Sequence, residues 1–266
     1  MDAKEREERK EQKEHKEHRE LGEHGEREHR ERAEHARKTP TLGCRILRRR
    51  VRVSPSLVEA ARGLPLANVS DVMNRMSGDG GLLCPMHDGT PLAGAALTVR
   101  TRAGDNLLVH KAIDLAEPGD VIVVDAGGAT GTAIIGEIMV TYARRRGVAG
   151  FVIYGAVRDA AALKAQDLPV FAVGVSHRGP YKDGPGEINV PVVIGGMVVM
   201  PGDLVLGDAD GVLAVPALEA EAVIAAARAK QAAEAETLRA LREGRGIERG
   251  WVDAALARIG CAIEDG

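Results

Sequence analysis

From about Ile46 onward the chain alternates between apolar runs short enough for strands and longer stretches with helical spacing. Ser54 to Arg62 reads as a short helix with Pro55 in its first turn. NVSDVMNR, Asn68 to Arg75, reads as a second that Ser70 or Asn68 could cap. Ala93 to Arg100 has the pattern of a strand, His110 to Ala116 that of a helix, and Val121 to Asp125 (VIVVD) that of a buried strand entered by a Pro-Gly-Asp turn. A Gly-rich stretch from Gly127 to Thr132 follows. The spacing then predicts a helix from about Ala133 to Arg146, because Ile134, Ile135, Ile138, Met139 and Tyr142 share one face and Gly147 can end it. Phe151 to Ile153 is a strand, Gly155 to Asp159 (GAVRD) the loop leaving it, and an Ala-rich helix precedes another strand at Pro169 to Val173. Beyond a polar loop come four short strands, Val190 to Ile194, Met197 to Met200, Asp203 to Leu206 and Gly211 to Val215. A long Ala-, Glu- and Arg-rich helix is predicted from Ala217 to Arg242. Together these elements predict a layered α/β domain with a central mixed sheet.

One internal echo stands out. PGDVIVVD at 118–125 is matched by PGDLVLGD at 201–208, as two strands entered by the same tight turn would give. The N-terminal segment differs in kind: to about Lys38 it is nearly all Glu, Arg, Lys and His with no apolar stripe. Ion pairs of about 0.2–0.5 kcal/mol each could support a solvated helix there, but without burial such a helix is marginal. The chain therefore divides into a charged extension expected to be disordered (1–45), an α/β domain (46–216) and a C-terminal helical segment (217–266). The extension holds His15, His18, His24, His29 and His35, which could bind a metal weakly, although low-complexity solvated sequence explains them without one.

Composition narrows the function. Only 2% of residues are aromatic, so stacking platforms for single-stranded nucleic acid are not expected. A net charge of -3 argues against a general polyanion binder. Cys44, Cys84 and Cys261 form no CxxC pair, which points away from a disulfide framework or structural zinc and toward a reducing, cytoplasmic setting. No apolar run reaches the roughly 20 residues of a membrane span, and the charged N-terminus does not read as a signal peptide.

No GxxxxGK followed by Ser or Thr is present, Gly127 to Gly131 does not fit GxGxxG, and there is no GxSxG elbow. What remains is a Gly-rich turn feeding a helix, then an Arg-Asp pair after the next strand. In α/β folds ligands gather at the carboxyl ends of strands, so the loops after Asp125 and Ile153 are expected to meet. The helix opening near Gly136 and Glu137 could present amides to a carboxylate. Arg158 could hold a carboxylate or enolate oxygen. Asp159 could hold a hard divalent cation that keeps several waters. Plainer readings exist for each: Asp159 as N-cap of the Ala-rich helix, Arg158 as a surface or interface arginine, Glu137 as a solvated carboxylate, His110 as a structural histidine, and Asp208 and Asp210 as turn residues.

An acidic residue, twenty intervening residues and Arg-Asp occur at Glu137, Arg158 and Asp159, together with SDVMNR, PGDVIVVD, GAVRD, PVFA and PGDLVLGDADGVLAVP. From about Ser54 to Glu243 the chain thereby resembles the RraA-like superfamily, which includes 4-hydroxy-4-methyl-2-oxoglutarate / 4-carboxy-4-hydroxy-2-oxoadipate aldolases. The resemblance implies an α/β/β sandwich of the phosphohistidine-swivelling-domain type, assembled as a homotrimer or hexamer with sites at subunit clefts. It implies a Mg2+ or Mn2+ cofactor with Asp159 as direct ligand, and Glu137 holding metal-bound water. Arg158 would contact the 2-oxo oxygen, and the backbone of Gly136, Glu137 and Ile138 would receive the pyruvate carboxylate. Glu234 would reach the metal's waters from a neighbouring subunit. The expected activity is cleavage of 4-hydroxy-2-oxo acids to pyruvate, with oxaloacetate decarboxylation through the same enolate.

The alternative is a non-catalytic regulator of an RNase E type enzyme, as named members of the superfamily are. Those members tend to lack the acidic residue found here as Glu137, which favours the enzyme. A third reading is a lyase on another 2-oxo or sugar acid, with specificity set by residues 80–90 and by SHRGPYKDGPGE, Ser176 to Glu187.

Overall fold

The computed structural model describes residues 41–264. The expectation for the charged extension falls almost wholly outside them. The strands are β1 (Cys44–Ile46), β2 (Cys84–Pro85), β3 (Leu92–Thr101), β4 (Asp120–Asp125), β5 (Ala133–Ile135), β6 (Gly150–Val157), β7 (Val170–Val175), β8 (Gly186–Ile188), β9 (Val192–Ile194), β10 (Met197–Val199), β11 (Leu204–Asp208) and β12 (Gly211–Val215). The helices are α1 (Pro55–Ala61), α2 (Leu66–Val72), α3 (Leu107–Leu115), α4 (Glu137–Arg145), α5 (Ala160–Lys164), α6 (Ala220–Arg242) and α7 (Gly250–Arg258).

Ten strands form one mixed sheet along the path β1-β8-β3-β4-β6-β7-β2, with β11 on β3, β12 on β11 and β5 on β6. The sheet is buried on both faces, and alternation along each strand sorts its side chains. Val121 and Val123 of β4 join Val152 in a core with α1, α2 and α6. Ile122 and Val124 join Phe151 and Ile153 in a second core with α3 and α4. This is the predicted arrangement, a large central mixed sheet with helices packed on it.

The internal echo has a structural cause. β4 and β11 flank β3, one parallel and one antiparallel, and both register against Ala95. Each enters through a glycine in the left-handed region, Gly119 at φ 86° and Gly202 at φ 93°. In each turn the aspartate carboxylate accepts the amide three residues back: Asp120 from Glu117 at 2.9 Å, Asp203 from Met200 at 2.8 Å. Asp120 is fully buried and also holds Arg49 at 2.8 Å and Arg52 at 3.1 Å. Asp120→Ala would leave two partly buried guanidinium groups without their carboxylate. It is expected to lower the unfolding free energy by about 3 kcal/mol, read as a lower urea midpoint at fixed protein concentration.

Three local expectations are corrected. The predicted helix from 133 begins four residues late, at Glu137; Ala133–Ile135 is instead strand β5, paired in parallel with the end of β6. The face of α4 that packs inward is Met139, Val140 and Ala143, whereas Ile138 is 79% exposed and Tyr142 45%. In α2 neither Asn68 nor Ser70 caps. The helix starts after Pro65, and the Leu66 amide is satisfied by the distant Asp208 carboxylate at 2.9 Å.

Candidate active site

The twenty-residue spacer between Glu137 and Arg158 is the length of one crossover. β5 and β6 are parallel, so the chain leaving β5 must return to the same end of the sheet before β6 can begin, and α4 makes that return. β6 then runs out beside the end of β5, where the Arg158 amide bonds to the Ile135 carbonyl at 2.9 Å. Residues 22 apart in sequence thus meet: Asp159 Oδ2 accepts the Glu137 amide at 3.0 Å, at the N-terminus of α4.

Asp159 settles one of the competing readings of its position. It does stand at the N-cap of α5, but its side chain makes no capping hydrogen bond there. The carboxylate turns instead toward α4 and Arg158, whose Nε is 3.7 Å away. Its backbone is left-handed at φ 58°, a conformation uncommon for a residue with a side chain and tolerated best by Asn and Asp. Such strain persists where surrounding structure enforces it and concentrates at functional sites.

Two glycines make room for the pair. A Cβ on Gly136 would lie 2.5 Å from Asp159 Oδ2 and 2.8 Å from Arg158 Cγ. A Cβ on Gly179 would lie 3.1 Å from Arg158 Nη1. The φ of Gly136 is −153°, ordinary extended backbone, so close approach and not conformation requires glycine there.

A pocket of about 210 Å3 opens beside Arg158, lined also by Asn106, His110, Gly136, Ile138 and Lys182. Its walls come from segments that follow β3, β5, β6 and β7, all mutually parallel to a neighbour in the sheet, so their carboxyl ends lie along one edge. The Gly-rich stretch 127–132 is not part of this lining. Gly128 instead packs under the Tyr154 ring, with its amide on the Tyr154 carbonyl at 3.1 Å. The SHRGPYKDGPGE loop does reach the pocket, through Gly179, Pro180 and Lys182. Burial, reinforced by the Lys182 ammonium, lowers the pKa of His110 below its ordinary value, so the imidazole is neutral at pH 7.

Of the residues singled out from sequence, Gly136, Glu137, Ile138, Arg158 and Asp159 are brought together. Glu137 is exposed in the first turn of α4. Glu234 is not in this cluster: it lies on α6, which packs on the other core, and accepts Asn68 Nδ2 at 2.8 Å and Lys230 Nζ at 3.1 Å. The Asn68 hydrogen bond, then Lys230, hold its carboxyl below the usual range. Asn106 was missed because the predicted helix starts only at His110, whereas the observed one starts at Leu107, directly after Asn106.

Among the described residues no group of three or more His, Cys, Asp or Glu side chains is placed to hold a metal. The single carboxylate of Asp159, 42% exposed at its side chain, fits the alternative: a hard cation held by one protein oxygen and otherwise by solvent.

Comparison with known proteins identifies the family. Residues 66–214 match the RraA-like family model, described as Aldolase/RraA. A protein of Halalkalibacterium halodurans provisionally named 4-hydroxy-4-methyl-2-oxoglutarate aldolase is 40% identical over 182 residues, covering 68% of this chain and 87% of that protein. A solved, uncharacterized protein from Pseudomonas syringae is 27% identical with a TM-score of 0.67, over 74% of this chain and 97% of its own. Streptomyces coelicolor RraAS2, described as an unusual member of the RNase ES inhibitor RraA protein family, is 28% identical with a TM-score of 0.63, over 70% of this chain and 97% of its own. The RNA-processing inhibitor RraA of Thermus thermophilis is 31% identical with a TM-score of 0.53, over 57% of this chain and 92% of its own. With a family match across more than half of its length, this chain belongs to the RraA-like family.

Proposed function

We propose that the protein is a divalent-metal-dependent aldolase that cleaves 4-hydroxy-2-oxo acids to pyruvate and decarboxylates oxaloacetate at the same site. The observation that carries this reading is the turn of the Asp159 carboxylate away from its own helix, toward the Arg158 guanidinium and the α4 N-terminus. The aldolase named among its relatives supports it.

In this reading Asp159 holds Mg2+ or Mn2+, and the bound cation supplies a Lewis acid for the 2-oxo oxygen. Arg158 donates to that oxygen as negative charge builds there when the C3–C4 bond breaks, and so stabilises the enolate more than the ground state. The substrate carboxylate lies at the start of α4. The Glu137 amide is already engaged by Asp159, so the first-turn amides of Ile138 and Met139 are the ones without an intrahelical partner. Glu137 and, from a neighbouring subunit of a trimer or hexamer, Glu234 order solvent around the cation.

The reading is tested by coupled-assay measurement of pyruvate release from oxaloacetate and from 4-hydroxy-4-methyl-2-oxoglutarate, corrected for free-metal background. Activity with Mg2+ or Mn2+ that chelation abolishes is expected. Arg158→Lys keeps the charge but loses the planar fork, and kcat is expected to fall about 100-fold with the metal requirement intact.

A second reading, regulation of an RNase E type enzyme, is favoured by two solved relatives, one described as an RNA-processing inhibitor and the other as an unusual member of an RNase inhibitor family. It predicts capture of such a ribonuclease by a protein without metal-dependent turnover.

A further inference from the structure

Asn106 stands just before α3 but does not cap it; the Leu107 amide goes to Asp105 Oδ1 at 3.0 Å. Asn106 is only 2% exposed, and its side-chain nitrogen donates to the Ile134 carbonyl at 2.8 Å and lies 3.2 Å from Met139 Sδ. These partners fix which end of the amide is which, because the flipped form would set two carbonyl oxygens face to face. Oδ1 is then a buried acceptor with no partner among the described residues, in a side chain that lines the pocket. A buried acceptor of this kind calls for a donor.

His110 is four residues on, its amide bonded to the Asn106 carbonyl at 3.0 Å, so both side chains occupy one flank of the same helical turn. Both line the pocket that Arg158 and Lys182 also reach. The pocket thus offers cations for anionic groups and, on the α3 side, two acceptors for a hydroxyl proton.

We propose that the first turn of α3 handles the substrate's C4 hydroxyl: Asn106 Oδ1 accepts and orients the O–H, and His110 takes its proton as the C3–C4 bond breaks. This assignment deepens the aldolase reading and rests on it. The O–H electron pair becomes the new C4 carbonyl. The C3–C4 pair moves into the C2–C3 enolate, whose charge falls on the 2-oxo oxygen beside Arg158. The proton on His110 returns to C3 to give pyruvate. Oxaloacetate has no such hydroxyl; carbon dioxide leaves from C4 without removal of a proton. The two reactions therefore use Arg158 alike and α3 differently.

The test is the ratio of kcat/KM for cleavage of 4-hydroxy-4-methyl-2-oxoglutarate to kcat/KM for oxaloacetate decarboxylation, with Mn2+, in wild type, Asn106→Ala and His110→Gln. The ratio is expected to fall about tenfold in Asn106→Ala and about 100-fold in His110→Gln. A general loosening of the site would lower both reactions together, and an unchanged ratio in His110→Gln overturns the assignment. His110 is only half-buried, so that variant decides the matter even if Asn106→Ala fails to fold. Wild-type protein inactive on both substrates would instead remove the aldolase reading, and the subsite with it.

Discussion

Asp159→Asn is expected to lower metal-dependent pyruvate release by at least about 10³-fold while leaving the fold intact. Asparagine tolerates the left-handed backbone that Asp159 adopts, and it keeps an oxygen for the Glu137 amide. Only the charge is lost. A helix-capping role, by contrast, would be served almost equally by asparagine. Melting temperature and far-UV circular dichroism should match wild type, and turnover measured across a Mn2+ series should not recover at saturating metal. Full activity in this variant would return Asp159 to an ordinary structural residue.

Gly136→Ala comes next in size. Alanine adopts the φ of −153° without strain, so the backbone presents no obstacle. The obstacle is the added methyl, 2.5 Å from the Asp159 carboxylate oxygen and 2.8 Å from Arg158 Cγ. Both side chains have to move, and a displacement of about 1 Å at a reacting centre can cost about 100-fold. A loss of that order in kcat/KM, with thermal stability nearly unchanged, is the expected outcome. A variant that unfolds would show that the surroundings cannot yield to the methyl, so that Gly136 serves the fold and not only the site.

The same two residues show what could be read from the chain. VIVVD, the two Pro-Gly-Asp turns and the Arg-Asp pair after an apolar run sufficed to predict a central sheet and to point to a candidate site at one of its edges. The fixed interval from Glu137 to Arg158 was legible only as part of the family resemblance; the fold supplies its physical cause, a helix and a strand that return the chain to its starting edge. Ala133–Ile135 was not legible as a strand: three residues that run almost directly into a helix continue its apolar period, and a period cannot separate a short buried strand from a first helical turn.

Long-range partners were hidden for a different reason. Leu66 takes its cap from Asp208, and Asn106 gives its amide to Ile134, so neither partner lies in the local window that capping rules examine. Both lie just outside the predicted helices, which start at Asn68 and His110, and the observed helices start earlier, at Leu66 and Leu107. Only the fold shows that one is an ordinary start served from afar and the other a buried acceptor in a pocket wall.

The proposed chemistry centres on a cation held at Asp159 beside Arg158. Mn2+ binding followed by electron paramagnetic resonance, with and without pyruvate, measures this without reference to turnover. One ion per chain in wild type, tightened by pyruvate and lost in Asp159→Asn, is the predicted result. Equal Mn2+ binding in both proteins, or none in either, would contradict it.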